Sequence, residues 1–435
     1  MIADLKSQKF TLPVAQSVAR AASASIAKDA VGERETLSIF IAHPSHFLTD
    51  HKPSGDGLVA YDLILQLARR GHRLHIAVGE VDLRDELPEN VKLYPIKTHY
   101  APLTMLWRLE YAVKVKRLFD RLHREIEIDL IHQLNPVVTG LSLFLGRTGC
   151  PLVLGPYVPY WSKSFEFPDY QPSFAESVIN AGRDFVLTKL LHRQQRLAQA
   201  LLVSTPAALG KMSDAPDIRA KTHELPYSVD VKKFSPKGLE RDYSQPPNIL
   251  FLANLRYQKG IYTLLDAFET ISRIHPTCRL TIGGTGEEEV EIRRRIARMK
   301  SAPRISMTGN VERERIPEMM RGSTVYCLPS YGEPFGMSAL EAMACGVPVV
   351  ATDVGGLSYL VTDEGGRKVP PKDAPALAAA LLEIINSPRL QAEMGRFNRA
   401  QALQHYTAPK IVERLENIYR QTRSEVKKEG KRSVK

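Results

Sequence analysis

Apolar residues along this chain alternate between short unbroken runs and longer stretches in which they return every three or four positions, the two rhythms of buried strands and amphipathic helices. The first run, 38–42, leads into a loop of Pro, Ser and Gly that ends at Gly55 and Gly57. Leu58 to Arg70 then shows helical spacing, with Leu63, Ile64 and Leu67 on one face and Gly71 as its stop. A second run follows at 74–78. Strand, glycine loop, helix, strand is the opening of a doubly wound α/β sheet. The alternation predicts further strands near 91–97, 129–134, 151–155 and 200–204, with helices at about 103–124 and 174–197.

Residues 1–37 lack a strand pattern and read as an N-terminal extension. Segment 235–247 carries Pro236, Pro246 and Pro247 without an apolar period, so it reads as an interdomain linker. A second series then predicts strands at 248–255, 279–284, 305–309, 325–328 and 348–351, with helices at 260–274 and from 287. The expected order is extension, Rossmann-like domain 38–234, linker, Rossmann-like domain 248–407, and a C-terminal helix with a basic tail, 408–435. Parallel sheets of this kind bind ligands beyond the carboxyl ends of their strands, so functional residues belong in those loops.

Composition narrows the class. A chain of 435 residues fits two or three domains, and 43% hydrophobic with 25% charged residues excludes collagen-like, disordered and membrane-spanning proteins. Cys150, Cys278, Cys327 and Cys345 are far apart, with neither a disulfide nor a zinc pattern, which fits a reducing compartment. The N-terminal stretch lacks a secretory apolar core, and no run reaches the ~18 residues of a membrane span. A cytoplasmic protein, free or peripheral on the membrane, is expected. The net charge is +11, and residues 420–435 hold seven basic side chains against two acidic ones on what reads as a frayed end. Without interleaved aromatics on a folded surface, that excess does not indicate nucleic acid.

The densest chemical signal is 329–356, PSYGEPFGMSALEAMACGVPVVATDVGG. A strand ends at Leu328, Glu333 lies in the loop, a helix starts near Gly336, and Glu341 lies inside it. A glycine at 336 lets a ligand approach the first backbone N–H groups of that helix, whose positive end suits a phosphate or a hydroxyl-rich anion. Two carboxylates can accept hydrogen bonds from vicinal hydroxyls.

These residues resemble the retaining glycosyltransferases of the GT-B fold, family 4. Their E-x7-E signature matches Glu333 and Glu341 within the run above, and the element order matches from about 38 to 420. The resemblance implies two Rossmann-like domains facing across a cleft. It also implies transfer of a hexosyl group from a nucleoside-diphosphate sugar to a hydroxyl of a glycan or lipid-linked glycan, with retention and with neither cofactor nor bound metal. Glu333 would contact the transferred sugar near the reacting carbon and Glu341 the ribose, while Phe335, Gly336, Met337 and Ser338 would meet sugar hydroxyls and phosphate.

The leaving diphosphate needs cations. In 251–265, Lys259-Gly260 matches the family's Lys-Gly, whereas Ala253 and Asn254 stand where the family has glycine and arginine, so either Arg256 substitutes for that arginine or the diphosphate grip is weaker. Gly284 and Gly286 match a Gly-x-Gly turn that is either a plain tight turn or a phosphate loop. The segment 308–311, ending at Val311, matches the backbone over which the family lays the base.

In the first domain, Gly55 and Gly57 would approach the diphosphate and acceptor, and Asp56 fits a helix N-cap as well as a catalytic part. A lone histidine on an apolar strand is ordinarily a satisfied core residue. His132 nevertheless ends its strand, with Asn135-Pro136 after it and 155–157 nearby, where the family has a histidine that reaches the sugar hydroxyls, so it is assigned to the site. His43, His46, Asp50 and His51 fit no standard zinc spacing and read as an acceptor-side loop. Helix 104–124, with Leu106, Leu109, Val113 and Leu118 beside Arg108, Lys114, Lys116, Arg117 and Arg121, suits either a sheet-covering helix or one lying on an anionic membrane. Two alternatives stay open: a non-catalytic nucleotide-sugar-binding relative, motivated by Asn254, and a GT-B phosphorylase or epimerase, the former without a recognisable pyridoxal-phosphate lysine.

Overall fold

The computed structural model of the protein describes residues 35–43, 47–51, 55–100, 104–134, 140–158, 174–237 and 244–432. The first half lays down β1 (Ser38–Ala42), β2 (Phe47–Thr49), β3 (Arg73–Val78), β4 (Glu80–Asp82), β5 (Val91–Pro95), β6 (Leu130–Gln133), β7 (Leu152–Tyr157), β8 (Ala200–Val203) and β9 (Thr222–Glu224). The second half adds β10 (Asn248–Leu252), β11 (Arg279–Gly283), β12 (Ile305–Gly309), β13 (Val325–Leu328), β14 (Val349–Thr352) and β15 (Gly366–Val369).

Among the described residues, the first sheet has the order β5-β3-β1-β6-β7-β8-β9, the second β12-β11-β10-β13-β14-β15, and all their pairings are parallel; β2 and β4 form a separate pair. In each large sheet the first strand lies inside and the order reverses beside it, between β1 and β6 and between β10 and β13. That crevice is where ligands enter doubly wound sheets. The central strands are buried along their whole length because helices cover both faces, which is why they read as unbroken apolar runs.

The helix Gly55–Arg69 begins at Gly55, so Gly55 and Gly57 stand in its first turn rather than in the loop before it. Asp56 is therefore inside the helix and is not its N-cap. Helix Met105–Glu125 is capped by Thr104, whose hydroxyl accepts from the Trp107 N–H at 3.2 Å. Its buried stripe is Trp107, Tyr111, Val115, Leu118 and Leu122. Of the leucines expected on the apolar face, Leu118 is buried, but Leu106 and Leu109 are 57% and 55% exposed, because the buried stripe of the first turns runs through Trp107 and Tyr111 instead.

The two halves meet where the chain crosses between them. The Val229 N–H donates to the Tyr406 carbonyl at 2.8 Å, and Val229 pairs with Thr407. The final helix, Ala408–Arg432, then returns to the first sheet, burying Ile411, Val412, Leu415, Ile418 and Tyr419 with Ile39, Ile64, Leu67 and Ala200. Residues 420–432 therefore continue a helix and are not frayed. Arg423 is ion-paired with Asp129 at 2.5 Å, and Arg70 donates two 2.7 Å bonds to the buried Glu416, so part of the basic excess holds the fold together. The expected extension up to residue 34, linker residues 238–243 and tail residues 433–435 lie outside the described residues.

Candidate active site

Two loops leave adjacent strands at the β10/β13 reversal, 253–260 after β10 and 329–336 after β13. They are pressed together at the backbone. The Tyr331 N–H donates to the Gln258 carbonyl at 2.7 Å. Gly260 has φ +72°, and a Cβ there would lie 1.8 Å from the Pro329 carbonyl oxygen, so only glycine lets the loops approach this closely. The approach brings Lys259 Nζ to 2.7 Å from Glu333 Oε2. Both side chains are largely buried, and Ser330 Oγ donates to the same oxygen at 3.3 Å. The Glu333 carbonyl accepts the Gly356 N–H at 2.8 Å, which ties the loop to the segment after β14.

Gly336, at φ +99°, caps the helix Met337–Ala344, and that left-handed conformation turns the chain from loop to helix. The first N–H groups of the helix have no partner within it. Phe335 is buried, 5.0 Å ring to ring from Tyr227 of the crossing segment. The Tyr326 hydroxyl sits 2.9 Å from the Leu252 carbonyl and 2.7 Å from the Ser338 hydroxyl; it donates to the carbonyl, which has no hydrogen, and accepts from the serine.

Glu341 is buried further along the helix. Burial raises its pKa, partly offset by Arg313, whose guanidinium is 3.4 Å from Oε1, and by Lys233. Asn254 and Arg256 are both exposed, and Asn254 adds no charge. Gly284 and Gly286 pack against the loop after β10: a Cβ at 284 would lie 1.9 Å from the Ala253 carbonyl and one at 286 2.3 Å from that of Leu255. Close backbone packing therefore accounts for both glycines. Val311 lies beside Gly283 at the end of β11.

His132 does not fit its expected role. It is fully buried, with Nδ1 2.6 Å from the Tyr419 hydroxyl and Nε2 2.8 Å from the Gly155 carbonyl. Both ring nitrogens are occupied, so no edge remains for a sugar hydroxyl; burial lowers its pKa to about 4 and keeps the ring neutral. Asp50 is likewise occupied, by His51 at 2.7 Å and by the N–H groups of Arg84 and Asp85. His46, Asn135, Pro136 and residues 159–161 lie outside the described residues. Among the described residues no group of three His, Cys, Asp or Glu side chains could hold a metal, and no helix is long and apolar enough to cross a membrane. All four cysteines are buried and unpaired.

Sequence reasoning missed Ser330 and Arg313. Ser330 lies within the motif-bearing run, but its contact follows from the curl of the loop. Arg313 lies in a charged turn with no motif at all.

Comparison with known proteins completes the picture. The model for glycosyl transferases group 1 matches residues 237–401 and that for glycosyltransferase family 4 matches residues 53–204, so together they run from the first helix to the last but one. A phosphatidyl-myo-inositol mannosyltransferase of Mycolicibacterium smegmatis is 29% identical over 345 residues, 76% of this chain and 81% of that protein. A glycogen synthase of Mycobacterium tuberculosis is 26% identical over 192 residues, 44% of this chain and 46% of that protein, so the chain spans less than half the length of this curated relative. Among solved structures, a sucrose-phosphate synthase from Thermosynechococcus elongatus is similar with TM-score 0.67 at 24% identity, covering 89% of this chain and 99% of that one. A glycosyltransferase involved in lipopolysaccharide biosynthesis is similar with TM-score 0.65 at 14% identity, covering 87% and 99%. On sequence models, relatives and fold alike, the chain belongs to the group 1 glycosyltransferases of the GT-B fold.

Proposed function

We propose that the protein is a retaining glycosyltransferase that moves a hexosyl group from a nucleoside-diphosphate sugar to a hydroxyl of a glycan or lipid-linked glycan. The observation that carries this reading is the Lys259–Glu333 pair at the strand-order reversal, beside the N-terminus of the helix Met337–Ala344. A cation and a helix N-terminus suit a diphosphate, and the carboxylate suits the sugar joined to it. Lys259, with Arg256 and Asn254 in the same loop, binds the diphosphate, and the N–H groups of Phe335, Gly336, Met337 and Ser338 share that task. Gly284, Gly286 and Val311 border the nucleotide, and Glu341 takes the ribose diol. Gly55 and Gly57, at the start of the first helix, line the acceptor side.

Retention follows from a front-face displacement. The bond from the anomeric carbon to the diphosphate oxygen breaks while the acceptor oxygen bonds to the same face, and the leaving diphosphate takes the acceptor's proton. Glu333 stabilises the positive charge on the sugar ring. No step needs a cofactor or a metal.

The lipid-linked acceptor is supported by the relative named for phosphatidyl-myo-inositol and by the exposed face of helix Met105–Glu125. Met105, Leu106 and Leu109 are all more than half exposed there, with Arg117, Arg121 and Arg124 further along, an arrangement that suits peripheral attachment to an anionic membrane. A second reading, a nucleotide-sugar-binding relative without activity, is favoured by the uncharged Asn254. A thermal-shift panel of nucleotide sugars followed by a nucleotide-release assay separates the two: ligand stabilisation with release upon adding acceptor supports transfer, and stabilisation without release under any acceptor supports binding alone.

A further inference from the structure

We propose that Arg313 is a positioning residue of the donor site, aiming the Glu341 carboxylate and holding its negative charge in place for a ribose diol. The inference rests on the reading of Glu341 as the ribose contact.

The two oxygens of a carboxylate can each accept from one hydroxyl of a vicinal diol; once protonated, one oxygen becomes a donor and that match is lost. Glu341 is at risk of this loss because it is buried in the middle of the helix Met337–Ala344. Several groups face it from the surrounding elements. Tyr326 on β13 and Cys345 at the end of the same helix are neutral, since burial raises the tyrosine and pushes the cysteine up to about 12. Two cations oppose the effect of burial: Lys233 from the crossing segment and Arg313 from the turn after β12. Lys233 is engaged elsewhere, with Nζ 3.5 Å from Glu314. Among the described residues, only Arg313 is within ion-pair distance of Glu341, at 3.4 Å.

The placement of Arg313 is built into the fold. Its guanidinium lies 5.8 Å from the ring centroid of Phe234, which is fully buried. The Phe234 carbonyl accepts from Arg399 at 2.9 Å, and the same arginine donates to the Ala344 carbonyl at 2.8 Å, the last residue of the helix that carries Glu341. A flat cation resting on an aromatic face keeps its in-plane N–H groups free for a carboxylate edge. The turn therefore holds Arg313 against Glu341 through packing as well as charge.

The test compares wild type, R313M and R313K by calorimetric titration with UDP, ADP and GDP in separate runs at pH 5.5, 7.0 and 8.5, with circular dichroism and thermal unfolding as controls for folding. The quantity read is the ratio of variant to wild-type Kd at each pH, in which the ligand's own phosphate titration cancels. Removing Arg313 raises the Glu341 pKa, so more of it is protonated as pH falls, and a one-unit rise changes its proton affinity about tenfold. The expected R313M ratio is about five or more at pH 5.5 and smaller at pH 8.5, while R313K, which keeps the charge but not the flat guanidinium, loses less than R313M at pH 5.5 and varies little with pH. An R313M ratio near unity at every pH overturns the proposal, as does a loss of equal size at every pH, which would mean that Arg313 meets the nucleotide itself. If wild type binds none of the three nucleotides, the ribose reading of Glu341 fails first and takes the proposal with it.

Discussion

The ammonium of Lys259 lies 2.7 Å from Oε2 of Glu333, although the two residues are 74 positions apart and on different loops. The pair gives each largely buried charge a partner, and in the proposed reaction the two separate, Lys259 toward the diphosphate and Glu333 toward the sugar. Removing either partner leaves the other charge uncompensated. Lys259→Met should weaken nucleoside-diphosphate binding about tenfold or more, the size of one lost charge-assisted contact. Glu333→Gln frees the lysine and should bind the diphosphate as tightly as wild type or more tightly, while losing transfer. Calorimetric titration of both variants checks this; equal weakening in the two would mean that the residues do not divide the donor as assigned.

Gly260 sets that distance. With φ +72° and the Pro329 carbonyl 1.8 Å from where a Cβ would lie, Gly260→Ala must push the two loops apart. The expected cost is more than ~2 kcal/mol of stability, from left-handed strain and steric displacement together, with nucleotide binding lost in parallel. Denaturant unfolding and nucleotide titration of the variant would show otherwise if alanine proved neutral.

His132 should behave as a core residue. His132→Phe strips the Tyr419 hydroxyl and the Gly155 carbonyl of their partner, an expected loss of ~2–3 kcal/mol, while turnover at a temperature where the variant is folded stays within about threefold of wild type. Because the folded pKa is about 4, below the unfolded value of about 6.5, its stabilising contribution is complete above pH 6.5 and is lost as pH falls toward 4. The variant should lack that part of the acid dependence. Loss of transfer with stability unchanged would return the residue to the active site.

The cluster of Glu416 with Arg70 and His72 fastens the last helix to the first sheet, at 2.7 Å and 2.9 Å. Burial works against ionisation of this carboxyl, but the bonds from Arg70 and His72 outweigh it and leave the pKa lowered. A depressed carboxyl pKa stabilises the fold above the unfolded value of about 4.3, and that support disappears as pH falls through the folded value. Glu416→Gln should cost ~3–5 kcal/mol at neutral pH and flatten the acid limb of the stability curve. Urea unfolding from pH 3 to pH 8 reads both effects, and an unchanged acid limb would count against the assignment.

The two-domain order was legible because buried parallel strands write themselves as apolar runs and the helices between them keep their period. The strands that escaped notice were β2, β4, β9 and β15, each three or four residues long; β4 (EVD), β9 (THE) and β15 (GRKV) are largely polar or charged, so neither length nor apolar period marks them. The placement of Glu333, Lys259 and Gly336 in loops after strands could be read from motif and position, since ligands of this architecture enter at those loops. What the sequence could not convey was partnership. Nothing near residue 132 announces that Tyr419, 287 positions away, takes one side of its ring, and nothing near 313 announces Glu341. Likewise the basic stretch after 419 looks like a loose tail until Asp129 is seen against Arg423.

The most direct test of the central claim is nucleotide release. Wild type and Glu333→Ala are incubated with the nucleotide sugar that stabilises the wild type most, together with a panel of glycan and lipid-linked glycan acceptors, and free nucleoside diphosphate is measured over time. The account predicts acceptor-dependent release by the wild type, and release reduced to background by a Glu333→Ala protein that remains folded and still binds the donor. Full release by Glu333→Ala would contradict it.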